Sequence, residues 1–271
     1  MGFIKEKIRR HLNNFLGSSV FLKQDRKVLL RNIDYMVNNS QKKNKVIYTC
    51  FTGNYDDLLL QNYIDNSFDY VCFTDSKELL SYNQYGVWKI KALKFSELDN
   101  TKNARWHKTH PHILFPDYSE SIWIDGNINI NGSYIFDQIS QKNTDLLIPF
   151  HWKDDCIYDE IENVLAVIVP EGGETKENVD KISNFLIQHN FPKHYGLNET
   201  NFVYRCHNNP EIIRIMEEWW EFIRDYTKRD QLSLSYVLWK HSIKPSDIAI
   251  DNLRKRPDAV EFVQHKSKKQ Q

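Results

Sequence analysis

The chain has 271 residues, 41% hydrophobic and 13% aromatic, with a mean hydropathy of −0.61, which excludes a disordered chain and suits one large domain with appendages. Lys plus Arg (36) equals Asp plus Glu (36), but the basic residues gather at the ends, eleven against three in residues 1–45 and six against two in residues 252–271. The acidic middle argues against nucleic acid as a partner, and four cysteines without CxxC spacing (Cys50, Cys72, Cys156, Cys206) predict buried thiols rather than a zinc or disulfide framework.

Residues 3–36 set Phe3, Ile4, Ile8, Leu12, Phe15, Leu16, Val20 and Phe21 among Lys and Arg, the pattern of a basic amphipathic helix. Two readings follow: peripheral contact of residues 1–40 with an anionic membrane surface, or packing on the domain or a partner. No run approaches the length of a membrane span and no signal-peptide core is present, so the expected location is the cytoplasm, with the inner face of the plasma membrane as the peripheral alternative.

Beyond the polar stretch Asn38–Asn44, residues 46–51 are rich in strand formers and stop at Thr52-Gly53-Asn54-Tyr55-Asp56. Strand signals recur at Tyr70–Thr74, closing on Asp75-Ser76, and at Val87–Ile90. Thr101–Leu114 reads as a helix, and Ser121–Asp125 as a strand ending in a carboxylate. Helices are then predicted over Tyr134–Gln141, Cys156–Leu165, Thr175–His189, Pro210–Tyr226 and Gln231–His241, with strands over Asp145–Phe150 and Thr200–Cys206. The alternation predicts an α/β domain with a mixed, mostly parallel sheet flanked by helices. With no repeat or linker between residues 46 and 251, the expected organisation is a basic helical extension (1–44), one catalytic domain (45–251) and a basic tail (252–271).

Ligands in open α/β sheets sit beyond the carboxyl ends of the strands, so the polar residues there come first. An apolar strand that delivers Asp125, then Gly126 for close approach and Asn127 as a second oxygen donor, suits Mg²⁺ or Mn²⁺ bridging a diphosphate; the plainer alternative is a turn. Arg105 and Lys108 lie one helical turn apart on the helix entering this strand, where they can neutralise a diphosphate or merely form a solvated basic face.

Taken in order, Tyr48–Asp56, Asn103-Ala104-Arg105 with Lys108, Pro111-His112, Leu114-Phe115-Pro116 and Ile122–Asn127 resemble a glycosyltransferase-like family formerly catalogued as domain of unknown function 616. The resemblance continues through His151, Asp155–Glu160, Gly196–Glu199 and Arg229–Leu234, and so covers roughly residues 45–241. Plant members of that family include mucilage-related proteins, and bacterial members occur with surface-polysaccharide genes.

The resemblance implies a GT-A-like fold and a glycosyltransferase that takes a nucleoside diphosphate sugar, UDP-sugars favoured, to a glycan acceptor such as a capsule or O-antigen. It assigns Thr52, Gly53, Asn54, Tyr55 and Asp75 to the nucleoside, Asn103, Arg105 and Lys108 to the diphosphate, and Asp125 and Asn127 to Mn²⁺ or Mg²⁺. Asn127 departs from the usual Asp-x-Asp of such enzymes, which puts its ligation in question. Related glycogenin-like transferases often take a third ligand from a C-terminal histidine, here His265, unless that residue belongs to a frayed tail.

Asp230 is expected to act at the sugar, alongside a helix-capping role, with Arg229 and Gln231 beside it; Glu199 and His151 are further catalytic candidates, and Asp155 an acceptor contact or a cap. Trp219, Trp220 and Trp239 read as core. The competing functions are a nucleotidyltransferase, against which the single glycine and missing cation of Thr52–Asp56 count, and a non-catalytic glycan-binding or scaffold protein.

Overall fold

The computed structural model describes residues 26–38 and 43–265. The amphipathic stretch before residue 26 lies outside them. Its continuation, α1 (Arg26–Asn38), packs on the domain: Val28 and Tyr35 are buried, Tyr35 Oη donates to the Phe68 carbonyl at 2.6 Å, and Asn32 bridges to Gln61 and Val87. Packing on the domain is therefore the arrangement observed for α1.

Eight strands form one sheet in the order β3-β4-β2-β1-β5-β8-β7-β9. They are β1 (Lys45–Phe51), β2 (Phe68–Thr74), β3 (Gln84–Tyr85), β4 (Trp88–Ala92), β5 (Glu120–Ile124), β7 (Leu146–Pro149), β8 (Phe202–Arg205) and β9 (Ala249–Ile250). β4, β2, β1 and β5 run parallel, whereas β8 is antiparallel to both of its neighbours. The predicted mixed, mostly parallel sheet is the one found.

β1 is buried on both faces because the sheet lies between two helical layers, which is why it reads as an unbroken apolar run. Its alternation divides two cores. Val46, Tyr48 and Cys50 pack with α3 (Asn100–Thr109), α6 (Ile157–Asn163), α7 (Lys176–Gln188), α8 (Pro210–Asp225) and α9 (Gln231–Lys240). Ile47 and Phe51 pack with α1 and α5 (Tyr134–Gln141) on the other face. The short helix α2 (Lys77–Ser81) follows β2 and is capped by Ser76.

The single helix expected over Thr101–Leu114 is two. Pro111 has no N–H to continue the ladder, so α3 stops at Thr109, His110 takes φ −116°, and α4 (Pro111–Leu114) starts a new turn. The helix expected over Cys156–Leu165 becomes α6 and then a π-helical turn, Val164–Ile168.

The segment expected as a basic tail from residue 252 is built in as far as His265. Leu253–Lys255 forms a 3₁₀ turn and β10 (Val260–Phe262) pairs antiparallel with β6 (Ile128–Ile130). Charge count alone does not show this, because Val260 and Phe262 supply only a brief alternation. Among the described residues no helix is long and apolar enough to cross a membrane.

Candidate active site

The chain runs outward from β1 through β2 to β4, then returns to β5 on the other side of β1. That reversal opens a crevice at the carboxyl ends of β1 and β5. Because β8 is antiparallel to β5, with Phe202 opposite Ile124, the residues that precede β8 meet the residue that follows β5. Asp125 N donates to the Asn201 carbonyl at 2.9 Å, so Glu199, Thr200 and Asn201 border the same crevice.

Four charges meet there. Lys108 Nζ is 2.5 Å from Asp230 Oδ2 and 3.7 Å from Asp125 Oδ1, while Arg105 approaches Asp230 with Nε at 3.2 Å and Asp125 with Nη1 at 3.8 Å. The i, i+3 spacing on α3 places both cations on one face, as the sequence predicts.

Two tryptophans set the frame. The Lys108 ammonium lies 5.6 Å from the ring centroids of both Trp123 and Trp219. Trp123 Nε1 donates to Asp125 Oδ1 at 2.7 Å, and Trp219 Nε1 donates to the Asp230 carbonyl at 2.8 Å. Trp219 is the buried core residue that the sequence suggests, and its indole N–H also fixes the start of α9.

Burial opposes ionisation of Asp230, but Arg105 and then Lys108 outweigh it and hold the carboxyl well below the usual range. Thr200 Oγ1 adds a hydrogen bond at 3.1 Å. Asp230 does not cap α9 through its side chain. The carboxylate thus ties Arg105 and Lys108 together by ion pairing.

The carboxyl of Glu199 is raised by burial despite its 2.6 Å contact with Arg254 Nε. His151 Nδ1 accepts the Asp154 N–H at 2.9 Å, so the ring proton sits on Nε2, and burial lowers its pKa. In this tautomer His151 presents an N–H at Nε2.

Several expected nucleotide contacts are tied to the protein. Gly53 N donates to Asp75 at 2.9 Å and Thr52 Oγ1 to the Asn100 carbonyl at 2.7 Å, which shapes the first loop. Gly53 has φ +64°, and a Cβ there would lie 2.2 Å from Asn100 Nδ2, so the turn requires glycine. Asn103 exchanges both amide groups with the Leu98 backbone, at 2.7 and 3.0 Å, and so staples the loop before α3 instead of joining Arg105 and Lys108. Beside this loop a pocket is lined by Asn54, Asp56, Thr74, Ser76, Glu78 and Tyr82 at the carboxyl ends of β1 and β2.

Asn127 serves the C-terminal segment: its Nδ2 donates to the Val263 carbonyl at 3.1 Å, and Val263 N returns a bond to the Asn127 carbonyl at 2.8 Å. This path brings His265 to Asp56, with Nδ1 2.9 Å from the carboxylate, and its ring to 4.9 Å from that of Tyr55. A carboxylate accepts at Nδ1, so Nε2 keeps its lone pair.

The donor set fits a hard divalent cation in kind, with Asp125 and Asn127 offering oxygen and His265 a nitrogen. It is not drawn together as a cluster: among the described residues, no three His, Cys, Asp or Glu ligand atoms within 4.8 Å of one another include Asp125 or His265.

Asp155 stands apart, 71% exposed and paired with His194. Sequence reasoning missed Asn201, whose two side-chain polar atoms are buried without a hydrogen-bond partner, as is Gln231 Nε2. Only the antiparallel placement of β8 brings Asn201 beside Asp125. Arg229 Nε is also buried and unpartnered.

The model of the TOD1/MUCI70 glycosyltransferase-like domain matches residues 18–265. The chain belongs to this family. No curated protein matches it in sequence. Among solved structures it is similar to the apo WbbM bifunctional glycosyltransferase (9% identity, 73% of this chain and 37% of that one, TM-score 0.42). It is similar also to mouse xyloside xylosyltransferase 1, apo form (8%, 80% and 84%, TM-score 0.41). A third is the mannosyltransferase Ktr4p from S. cerevisiae in complex with GDP (13%, 89% and 83%, TM-score 0.38). The chain thus spans little more than a third of the length of WbbM. The sheet with helices on both faces is the GT-A-like arrangement expected of a TOD1/MUCI70 glycosyltransferase-like domain.

Proposed function

We propose that the protein is a glycosyltransferase that moves a sugar from a nucleoside diphosphate donor to a glycan hydroxyl. The observation that carries this reading is the Arg105–Lys108–Asp125–Asp230 constellation at the sheet reversal, in a chain of this family.

In this reading the pocket behind Thr52–Asp56 receives the nucleoside, and Arg105 and Lys108 meet the charge that develops on the departing diphosphate. Preorganised cations cost little reorganisation as the bond to the leaving group breaks. A Mn²⁺ or Mg²⁺ ion held by Asp125, with Asn127 and His265 as further donors, would supply Lewis-acid stabilisation of the same charge. Asn201 and Gln231 orient sugar hydroxyls, and His151 donates through Nε2 to the acceptor. Among the carboxylates, Glu199 is better suited than Asp230 to take the acceptor proton, because its pKa is raised rather than depressed. UDP is the favoured nucleotide and a surface polysaccharide the favoured acceptor, both from the family resemblance alone.

The test is thermal-shift screening against UDP-, GDP-, CMP- and dTDP-sugars with and without Mn²⁺, followed by donor hydrolysis. A ligand that binds the native state at 100 times its Kd stabilises it by about 2.7 kcal/mol. One nucleotide class should raise Tm and be hydrolysed. No shift with any donor, with or without metal, would overturn the reading.

A further inference from the structure

We propose that Cys156, Asp159 and His194 form a binding site for a zinc-class divalent cation, separate from Asp125, that clasps the loop after β7 to the loop before β8. The ligand atoms of these three residues lie within 4.8 Å of one another. A tetrahedral zinc ion holds sulfur at about 2.3 Å and nitrogen or oxygen at about 2.0–2.2 Å, which draws neighbouring ligand atoms to roughly 3.5 Å. Closing on an ion thus requires a shift on the order of 1 Å between ligand atoms. Asp159 and His194 are exposed, while Cys156 is buried at the start of α6.

The protonation pattern supports the site. His194 Nδ1 lies 2.8 Å from Asp155 Oδ1, and because a carboxylate only accepts, the ring proton is on Nδ1 and Nε2 offers a lone pair. A carboxylate that fixes the tautomer of a ligating histidine is the usual support of a zinc site. A thiolate, an imidazole and a carboxylate form a mixed donor set that favours zinc over Mg²⁺ or Mn²⁺. On binding, the Cys156 thiol proton passes to solvent, and the thiolate, the neutral imidazole and the carboxylate hold three positions, with water in the fourth.

A second cluster, His151, Asp154 and Glu160, has the same compactness but the opposite tautomer. The Nδ1 lone pair of His151 is used by the Asp154 N–H and its Nε2 carries the proton, so neither nitrogen is open to a metal. Its carboxylate is also engaged, Asp154 accepting from Asn163 Nδ2 at 2.8 Å. The chemistry thus separates two groups that proximity alone does not.

The clasp has a mechanical consequence. Asp155 sits between His151-Trp152 and α6, and Gly196 N already donates to its carbonyl at 3.0 Å. An ion between Cys156 and His194 fastens the loop bearing His151 to the loop leading to Glu199. That consequence for the acceptor side rests on the glycosyltransferase reading; the binding of the ion does not.

The full chain, stripped of metal and dialysed against zinc, should retain one equivalent by elemental analysis. His194→Asn and Asp159→Asn should lose it; asparagine tolerates the φ of +54° at position 194. The cobalt-loaded protein should show a thiolate-to-metal charge-transfer band that Cys156→Ser abolishes, and Asp125→Ala should retain the zinc. Absence of zinc from the wild type, wild-type zinc content in both exposed variants, a cobalt spectrum without the thiolate band, or loss of the ion in Asp125→Ala would each overturn the site. All four readouts are independent of turnover, so failure of the glycosyltransferase reading leaves them intact.

Discussion

Lys108 Nζ and Asp230 Oδ2 are 2.5 Å apart, with none of the lysine side chain and 5% of the aspartate side chain exposed. A buried pair of this kind is held by its geometry, and removing one partner strands the other charge. Asp230→Ala should therefore destabilise the protein by about 3–5 kcal/mol, more than the double variant Asp230→Leu/Lys108→Met. Urea denaturation of the three proteins measures the difference. Equal stability of the single and double variants would count against the pairing.

Asp125 and Asn127 should separate in their effects. Asp125 is partly exposed and flanked by cations, so Asp125→Asn should cost at least ~100-fold in donor turnover with little change in Tm. Asn127→Ala should instead loosen the C-terminal segment, because it removes the hydrogen bond to Val263, at about 1 kcal/mol. Amide exchange at Val263 and steady-state turnover, read together, check both.

Trp219→Phe keeps a large ring on α8 but deletes the donor to the Asp230 carbonyl. Expected are a loss of roughly 1–3 kcal/mol and a fall in turnover larger than the stability change explains. Trp239→Phe, on the same face of the sheet, is the control and should leave turnover near wild type.

Acid sensitivity should begin near neutrality. His107 is satisfied as a neutral ring, its Nδ1 donating to the Asn103 carbonyl and its Nε2 accepting Lys94 N–H at 2.9 Å, and burial lowers its pKa to about 4. His207 is likewise lowered to about 4 by burial. Groups depressed on folding contribute stability that is present above the unfolded value, about 6.5, and lost as pH falls toward 4. Each histidine then costs on the order of 3 kcal/mol at the acid end. Denaturation from pH 8 to 4 should show that slope, and His107→Gln should reduce it.

His151 should act as a donor and not as a base. His151→Asn should raise the KM for the acceptor by about 10-fold, the cost of one hydrogen bond, while leaving the acid limb of the pH–rate profile in place. Disappearance of that limb would restore the base assignment.

Much of this site was legible without coordinates because its parts are local. The i, i+3 spacing on α3 places Arg105 and Lys108 on one face, and an apolar strand that stops at Asp125 must deliver it to the sheet edge. The alternation within β1 and the turn that needs Gly53 are equally short-range, set by backbone sterics and side-chain period.

What remained hidden depends on partners far apart in the chain. Asn201 reaches Asp125 only because β8 runs antiparallel to β5, and strand direction leaves no mark on a single short strand. The protonation of Asp230 and His151 likewise depends on which atoms face them: two cations depress one pKa, and one backbone N–H chooses the tautomer of the other. In the same way, the segment from residue 252 to His265 counts as a basic tail by composition, yet pairing with β6 and Asn127 fastens it. Local periodicity specifies elements and faces; the contacts that set protonation, charge balance and partner choice arise only when those faces meet.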